Sequence, residues 1–257
     1  MRPALVHCSF HKCLTVYFGR VMGMLFNDLL PWSGGFRHYN SHLRDFERAF
    51  ARSRVASVNN RFLDVETMGD VRVSRFVRDP RDLVVSGYFY HRRGAEPWTR
   101  IEAPTEEDFY FTGGALPESL RGAGPSFAEL LQHLPTEEGL LCELEFRGPH
   151  LEAMAQWQSQ KGAHGEAVIV QRYEDVVGRE AEVFGAIFDH FELGPVERRL
   201  GLLLARRYSL HGLRGRRDGH VRNPSAGQWR EQFTPRVRQE FDRRYGALVR
   251  DLGYPES

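Results

Sequence analysis

Residues 4–10, ALVHCSF, have the character of a short buried strand, and an apolar helical pattern begins almost at once, at Thr15. Its apolar positions are Val16, Tyr17, Val21, Met24, Leu25 and Leu29, and it should end near PWSGG (31–35). The turn between them, HKCL, carries a lysine and leads into a threonine. A strand that hands directly to a helix opens a βα unit, which commits a chain to parallel strands covered by helices. Such a turn also offers free backbone N–H groups and the positive end of a helix dipole to an anion. It lacks the glycines of G-x-x-x-x-G-K-[ST], the loop of ATP- and GTP-binding proteins.

The same alternation continues. RVASVNN (54–60) and DVRVSRFVR (70–78) are strand-like, and EAVIVQRYED (166–175) is expected to be another buried strand. Helices are expected over SHLRDFERAFARS, over PRDLVVSGYFYHRR up to Gly94, at 126–134, 148–161, 179–191 and 195–208, and after Thr234-Pro235. Asp79 can cap the helix that starts at Pro80, with Asp82 adding charge to its first turn. Residues 95–126, rich in Pro, Gly, acids and aromatics, have the composition of an irregular acceptor-side insertion. Residues 211–229, basic and glycine-rich, suggest a mobile lid loop. No internal repeat and no long linker interrupts the pattern. The expected fold class is α/β: a single domain over residues 1–257, with a central, mainly parallel β-sheet flanked by helices.

Composition excludes several classes. The 41% apolar and 27% charged fractions are ordinary for a globular protein, and no apolar run reaches the roughly 18 residues of a membrane span. MRPALVHCSF has no signal-peptide architecture, and three cysteines (Cys8, Cys13, Cys142) make no disulfide framework, so a cytoplasmic protein is expected. A net charge of +1 gives no pull toward nucleic acid or membrane, and RGRR (214–217) alone carries little weight. Among 35 basic residues only Lys12 and Lys161 are lysines. Lysine is a compact point charge and arginine a planar fork, which makes the lysine in the opening turn distinctive.

Three separated stretches share one theme. Lys12 and Thr15 can hold an anion at the first turn, although Lys12 also fits a solvated loop position. Arg78 sits at the end of a strand, where ligands bind in open α/β sheets, and Ser86 lies two turns into the next helix. The plain alternative is a local Arg78–Asp82 ion pair. Arg222, with Gly227 and Trp229 shaping the turn, can fold over an anion, or belong to a solvated basic loop.

FHKCLTVYF, RFVRDPRDLVVSGYFYH, VQRYEDV and VRNPSAGQWREQFT occur in the order found in sulfotransferases that use 3′-phosphoadenosine 5′-phosphosulfate (PAPS). The chain resembles that family over roughly residues 5–92 and 166–235, and R-D-P-R-D-x-x-x-S is the most specific part. The resemblance implies a P-loop-like sulfotransferase fold. It also implies sulfuryl transfer from PAPS to a hydroxyl or amine of a small-molecule acceptor, with adenosine 3′,5′-bisphosphate (PAP) as product and no metal. By resemblance, His11, Lys12, Cys13, Leu14, Thr15 and Val16 form the loop around the 5′-phosphosulfate, and Tyr17 and Tyr173 lie near the adenine. Arg78 and Ser86 match the pair that binds the 3′-phosphate, and Arg222 and Asn223 match the start of the family's R-K-G-x-x-G segment, with Gly227 at its last glycine. Leu14 stands where the family has glycine, and Asn223 and Pro224 replace lysine and glycine.

An acceptor hydroxyl needs a general base. The strand before the 3′-phosphate motif ends VASVNNRFLD, without the family's histidine, though Asn59 and Asn60 can orient an acceptor. His42 is taken as the base; His38 and Asp64 are the alternatives, and His91 can instead satisfy its own helix's C-terminal carbonyls. Trp98, Phe109, Tyr110 and Phe111 can cover an acceptor or form a minor core. Two other functions fit in outline: a non-catalytic PAPS- or PAP-binding domain, and a small-molecule kinase. The kinase would need a magnesium-binding Asp where AVIVQRYED has Gln171 and Arg172. Cys8 and Cys13 have no second pair or partner base that would make them a metal site or a nucleophile.

Overall fold

The computed structural model describes residues 3–40, 50–122, 124–159, 165–209 and 225–256. The expected features at His42, Arg222, Asn223 and Pro224, and most of 211–229, lie outside these residues. The strands are β1 (Ala4–Ser9), β2 (Phe36–Tyr39), β3 (Val55–Asn59), β4 (Val71–Val77) and β5 (Val168–Arg172). The longer helices are α1 (Thr15–Gly23), α2 (Pro80–Arg92), α3 (Thr136–Phe146), α4 (Gly148–Ser159), α5 (Glu180–His190), α6 (Pro195–Arg207) and α7 (Pro235–Asp251). Two compact units result: Met1–Arg78 with Gln160–Asp218, and Asp79–Ser159 with Gly219–Ser257. Among the described residues no helix is long and apolar enough to cross a membrane.

The first unit holds the whole sheet, parallel throughout, in the order β2-β3-β1-β4-β5. β3 is buried at every position and β1 and β4 nearly so, although each carries polar residues among its apolar ones: His7 and Ser9, Ser57 and Asn59, and Arg72, Ser74 and Arg75. β5 departs from expectation. It is the last strand of the sheet, so it is only half-buried, and Val170 is 41% exposed. β2, whose two central residues are exposed, has no apolar run to announce it. Past α1 the chain widens into a π-helical turn, Met24–Leu29. Phe18, Phe76 and Phe184 are fully buried and pack on one another, each stabilising by about 1.5–3 kcal/mol, and the first two also pack on His7. Gly201 of α6 permits close packing on α5: a Cβ there would lie 2.6 Å from the Phe188 ring.

In the second unit α2 starts as the sequence dictates. The Asp79 side chain accepts from Arg81 N at 3.0 Å, and Pro80 is the first helical residue. Gly87 makes room for a buried carboxylate, because a Cβ there would sit 2.1 Å from Glu143 Oε1. Glu143 pairs with His91 Nδ1 at 2.7 Å and accepts from Arg147 Nε at 2.8 Å, with all three side chains fully buried. His91 is therefore spent on a helix-to-helix ion network and not on the carbonyls ending α2. Trp98, Phe127 and Phe146 pack around the His91 ring, and Phe109 packs on all three to complete a minor core, while Tyr110 and Phe111 stay exposed. The 95–126 stretch contains the short helix Glu106–Tyr110 and two 3-10 turns, so it is more regular than its composition suggests. The Asp82 carboxylate accepts from the amides of Gly227 (2.6 Å) and Trp229 (3.0 Å). Arg81 lies 3.7 Å from the Trp229 ring centre and donates to the carbonyls of Pro255 and Glu256.

Candidate functional site

In the first unit the chain leaves β1 toward β2 and β3 on one side of the sheet and later returns to β4 and β5 on the other. That reversal puts a crevice outside the carboxyl ends of β1 and β4, the usual ligand position in an open parallel sheet. The turns after both strands lie there.

The β1–α1 turn is tight. Cys13 N donates to Phe10 O at 2.9 Å, and His11 N donates to Asn60 Oδ1 at 2.7 Å. Lys12 (φ 71°) and Leu14 (φ 62°, ψ 18°) both take the left-handed conformation, and Asn60 does so as well (φ 57°). For a non-glycine residue that costs about 1–2 kcal/mol. Leu14 thus follows the path a glycine would take freely, and the turn stores the difference. Leu14 is the N-cap of α1 and makes no side-chain cap, and the first turn of α1 has no acidic residue to offset the dipole.

Behind the turn runs a file of short polar side chains, all on one face of the sheet by strand register. Thr15 Oγ1 lies 2.8 Å from Ser9 Oγ and 3.2 Å from Phe10 O. Ser9 Oγ donates to Asn59 Oδ1 at 2.9 Å. Asn59 Nδ2 lies 3.4 Å from both Asn40 Oδ1 and His38 Nε2. His38 is fixed at both ring nitrogens, by Ser57 Oγ and by Asn40 Oδ1, each at 2.7 Å. Partial burial lowers its pKa below the ordinary 6.5, against a raising contribution from the Asn40 hydrogen bond.

Arg78 follows β4 and is 3% exposed. Its guanidinium carbon lies 4.2 Å from the Tyr173 ring centre, and Nη1 donates to Lys12 O at 3.4 Å. Tyr173 begins the short helix after β5. The structure therefore brings Lys12, Thr15, Arg78 and Tyr173, three separate motifs of the sequence, to one end of one sheet.

Other expected site residues fare differently. His11 and Leu14 are half-buried, Cys13 is fully buried and Val16 is 56% exposed. Tyr17, expected near an adenine, is a core residue: its hydroxyl donates to Ala205 O at 2.6 Å, and its ring packs 5.1 Å from Phe184. The helical spacing that buries Phe18 and Val21 buries Tyr17 with them. Ser86 lies in the second turn of α2, half-buried, in the second unit. Asp64, an alternative base in the sequence reading, caps the 3-10 turn Val65–Met68 by accepting from Glu66 N at 3.2 Å. Burial pushes the Cys8 thiol up to about 12, which makes it an inert core residue. Ser9, Asn40 and Ser57 were not singled out by the sequence, because only the pairing of β2 with β3 and β1 brings them together.

The α/β architecture is that of PAP-bound sulfotransferases, and the chain has their P-loop-like fold. No family model and no curated protein matches the sequence. Among solved structures it is similar to mouse sulfotransferase SULT7A1 complexed with PAP, with a TM-score of 0.56, 15% identity, and 97% of this chain and 86% of that chain covered. A retinol dehydratase in complex with androsterone and the inactive cofactor PAP gives 0.55 at 15% identity, covering 100% and 84%. A retinol dehydratase with retinol and PAP gives 0.53 at 16% identity, covering 99% and 84%.

Proposed function

We propose that this chain is a sulfotransferase that moves a sulfuryl group from PAPS to a hydroxyl or amine of a small-molecule acceptor, with residues 1–257 acting as one catalytic domain. The observation that carries the reading is the meeting of Arg78 with the Lys12 carbonyl and the Tyr173 ring. It joins the turns after β1, β4 and β5 where an anionic nucleotide would need them. That the solved relatives carry PAP supports the same donor here.

The residues present suit such a ligand. The left-handed bends at Lys12 and Leu14 tighten the turn before α1, whose dipole no first-turn acid offsets. Arg78 offers a fork suited to phosphate, held flat by Tyr173. PAPS supplies the sulfuryl group and a bisphosphate leaving group. Lys12 places its ammonium toward the oxygens on which charge grows as the S–O bond breaks. Thr15 adds a hydroxyl; Ser86, Arg222 and Asn223 are assigned to the 3′-phosphate by the sequence resemblance alone. Tyr17 is left out, because its hydroxyl and ring serve the core.

His38 is the described histidine best suited to accept the acceptor's proton. It is an exposed residue of β2 whose Nε2 donates to Asn40 Oδ1, which leaves Nδ1, beside Ser57 Oγ, as the nitrogen that takes up a proton, and the ring stays neutral near pH 7. A screen of phenols, alcohols, sugars and amines with labelled PAPS, read as PAP formed, tests the function. Turnover by the native chain and a loss on the order of a hundredfold in Lys12→Ala are expected. PAP binding without turnover on any acceptor would leave a binding domain, and no PAP binding would end the reading. A pH–rate profile of His38→Gln beside His42→Ala assigns the base.

A further inference from the structure

The polar file behind the loop has a definite proton count. Ser9 and Thr15 own one hydroxyl proton each, and three acceptors stand within reach: Asn59 Oδ1, Phe10 O and the neighbouring hydroxyl. With the loop empty, Thr15 donates inward to Ser9 or Phe10, and Ser9 donates to Asn59. An anion at the loop competes for the Thr15 proton. If Thr15 turns outward, its own oxygen becomes an acceptor, and the Ser9 proton can swing to it over 2.8 Å. Asn59 Oδ1 then loses its donor. The Asn59 carboxamide lies 3.4 Å from His38 Nε2, so a rotation about its own axis can offer that oxygen to the imidazole.

We propose that Thr15, Ser9 and Asn59 couple the phosphate loop to His38, so that an anion which draws the Thr15 hydroxyl outward releases the Asn59 carboxamide toward the imidazole. Ser9 and Asn59 are positioning residues in this arrangement, and no covalent bond changes; two hydroxyls and one amide rotate. The coupling rests on the sulfotransferase reading for the identity of the anion. Its consequence is directional. An oxygen offered to Nε2–H favours the protonated ring, so occupancy of the loop makes His38 a stronger base while the donor anion is bound. Ser57 and Asn59 of β3 and Asn40 face the imidazole, and the titratable group electrostatically coupled to it is His7 of β1, held neutral by full burial.

The test follows the His38 ring resonance, assigned with His38→Gln, through a pH titration of the full chain with and without saturating PAP. The charge of PAP itself raises the His38 pKa in any variant. The coupling adds to that, so the rise in the native chain should be at least twice that in Ser9→Ala. Thr15→Val, which keeps the side-chain shape, serves as the second variant and should shrink the rise equally. Equal rises in native and variant chains with PAP bound overturn the coupling and leave the function standing. Failure of the native chain to bind PAP, read by calorimetry, overturns both.

Discussion

The Arg78 guanidinium lies 4.2 Å from the centre of the Tyr173 ring while its Nη1 reaches the Lys12 carbonyl. The ring holds the fork flat and the carbonyl fixes its rotation, so Arg78 is ordered before any ligand arrives. A preordered side chain loses less entropy on binding. Tyr173→Leu keeps the bulk and removes the π face, and should weaken PAP binding by about 2–5-fold, the equivalent of about 0.5–1 kcal/mol. Arg78→Lys should weaken it more, since an ammonium cannot replace a bidentate fork. Calorimetry on the two variants decides the order; a tighter-binding Arg78→Lys would refute it.

Leu14 supplies a backbone test. Its left-handed conformation penalises any Cβ, so with the side chain removed in both variants, Leu14→Gly should be more stable than Leu14→Ala by about 1 kcal/mol. That is the reverse of the order inside a helix. Urea unfolding of the pair measures it.

Acid should destabilise the first unit through His7. Its ring is fully buried, stacked 3.6 Å from Phe18 and bonded to Ser74, and burial holds its pKa well below 6.5. The unfolded chain therefore binds this proton before the native chain does, and stability is complete above about 6.5 and falls as pH drops below it. The slope for one proton is up to about 1.4 kcal/mol per pH unit. His7→Gln, which can keep the bond to Ser74, should flatten the acid limb; an unchanged limb would assign it elsewhere.

The Glu143 network predicts strong non-additivity. Glu143→Leu strands the Arg147 charge beside His91 in a fully buried site and should cost about 3–5 kcal/mol. Replacing His91, Glu143 and Arg147 together by apolar residues of similar size should cost less than the single change. Thermal unfolding of the two proteins compares them directly.

Much of this layout is legible in the chain. The mainly apolar runs of β1, β3 and β4 and the Asp79-Pro80 punctuation of α2 place those elements within a residue or so, because each is a local signal. β2 is not, since Phe36–Tyr39 is short with an exposed centre, and its strand character comes from pairing with β3. The turn after β1 and the place of Arg78 at a strand end can be read from the chain, but the Tyr173 stack cannot, because nothing in the run RYED says where a ring will face. Tyr17 is a contrasting case: at a position matched by motif, its hydroxyl and ring are engaged in the core. The link from His38 to Thr15 depends on strand register across β2, β3 and β1, information no single segment holds.

The strand order also dictates a schedule. β4 and β5 are neighbours in space, yet residues 78–167 lie between them in the chain, so the sheet stays one strand short until that stretch has been made. Closing so long a loop is slow relative to local helix formation. Until then β4 presents an open, apolar edge, a template for pairing with other chains. Substitutions in 93–167 that delay this closure should therefore be felt first as lost yield of folded protein during synthesis, in molecules that, once complete, work normally.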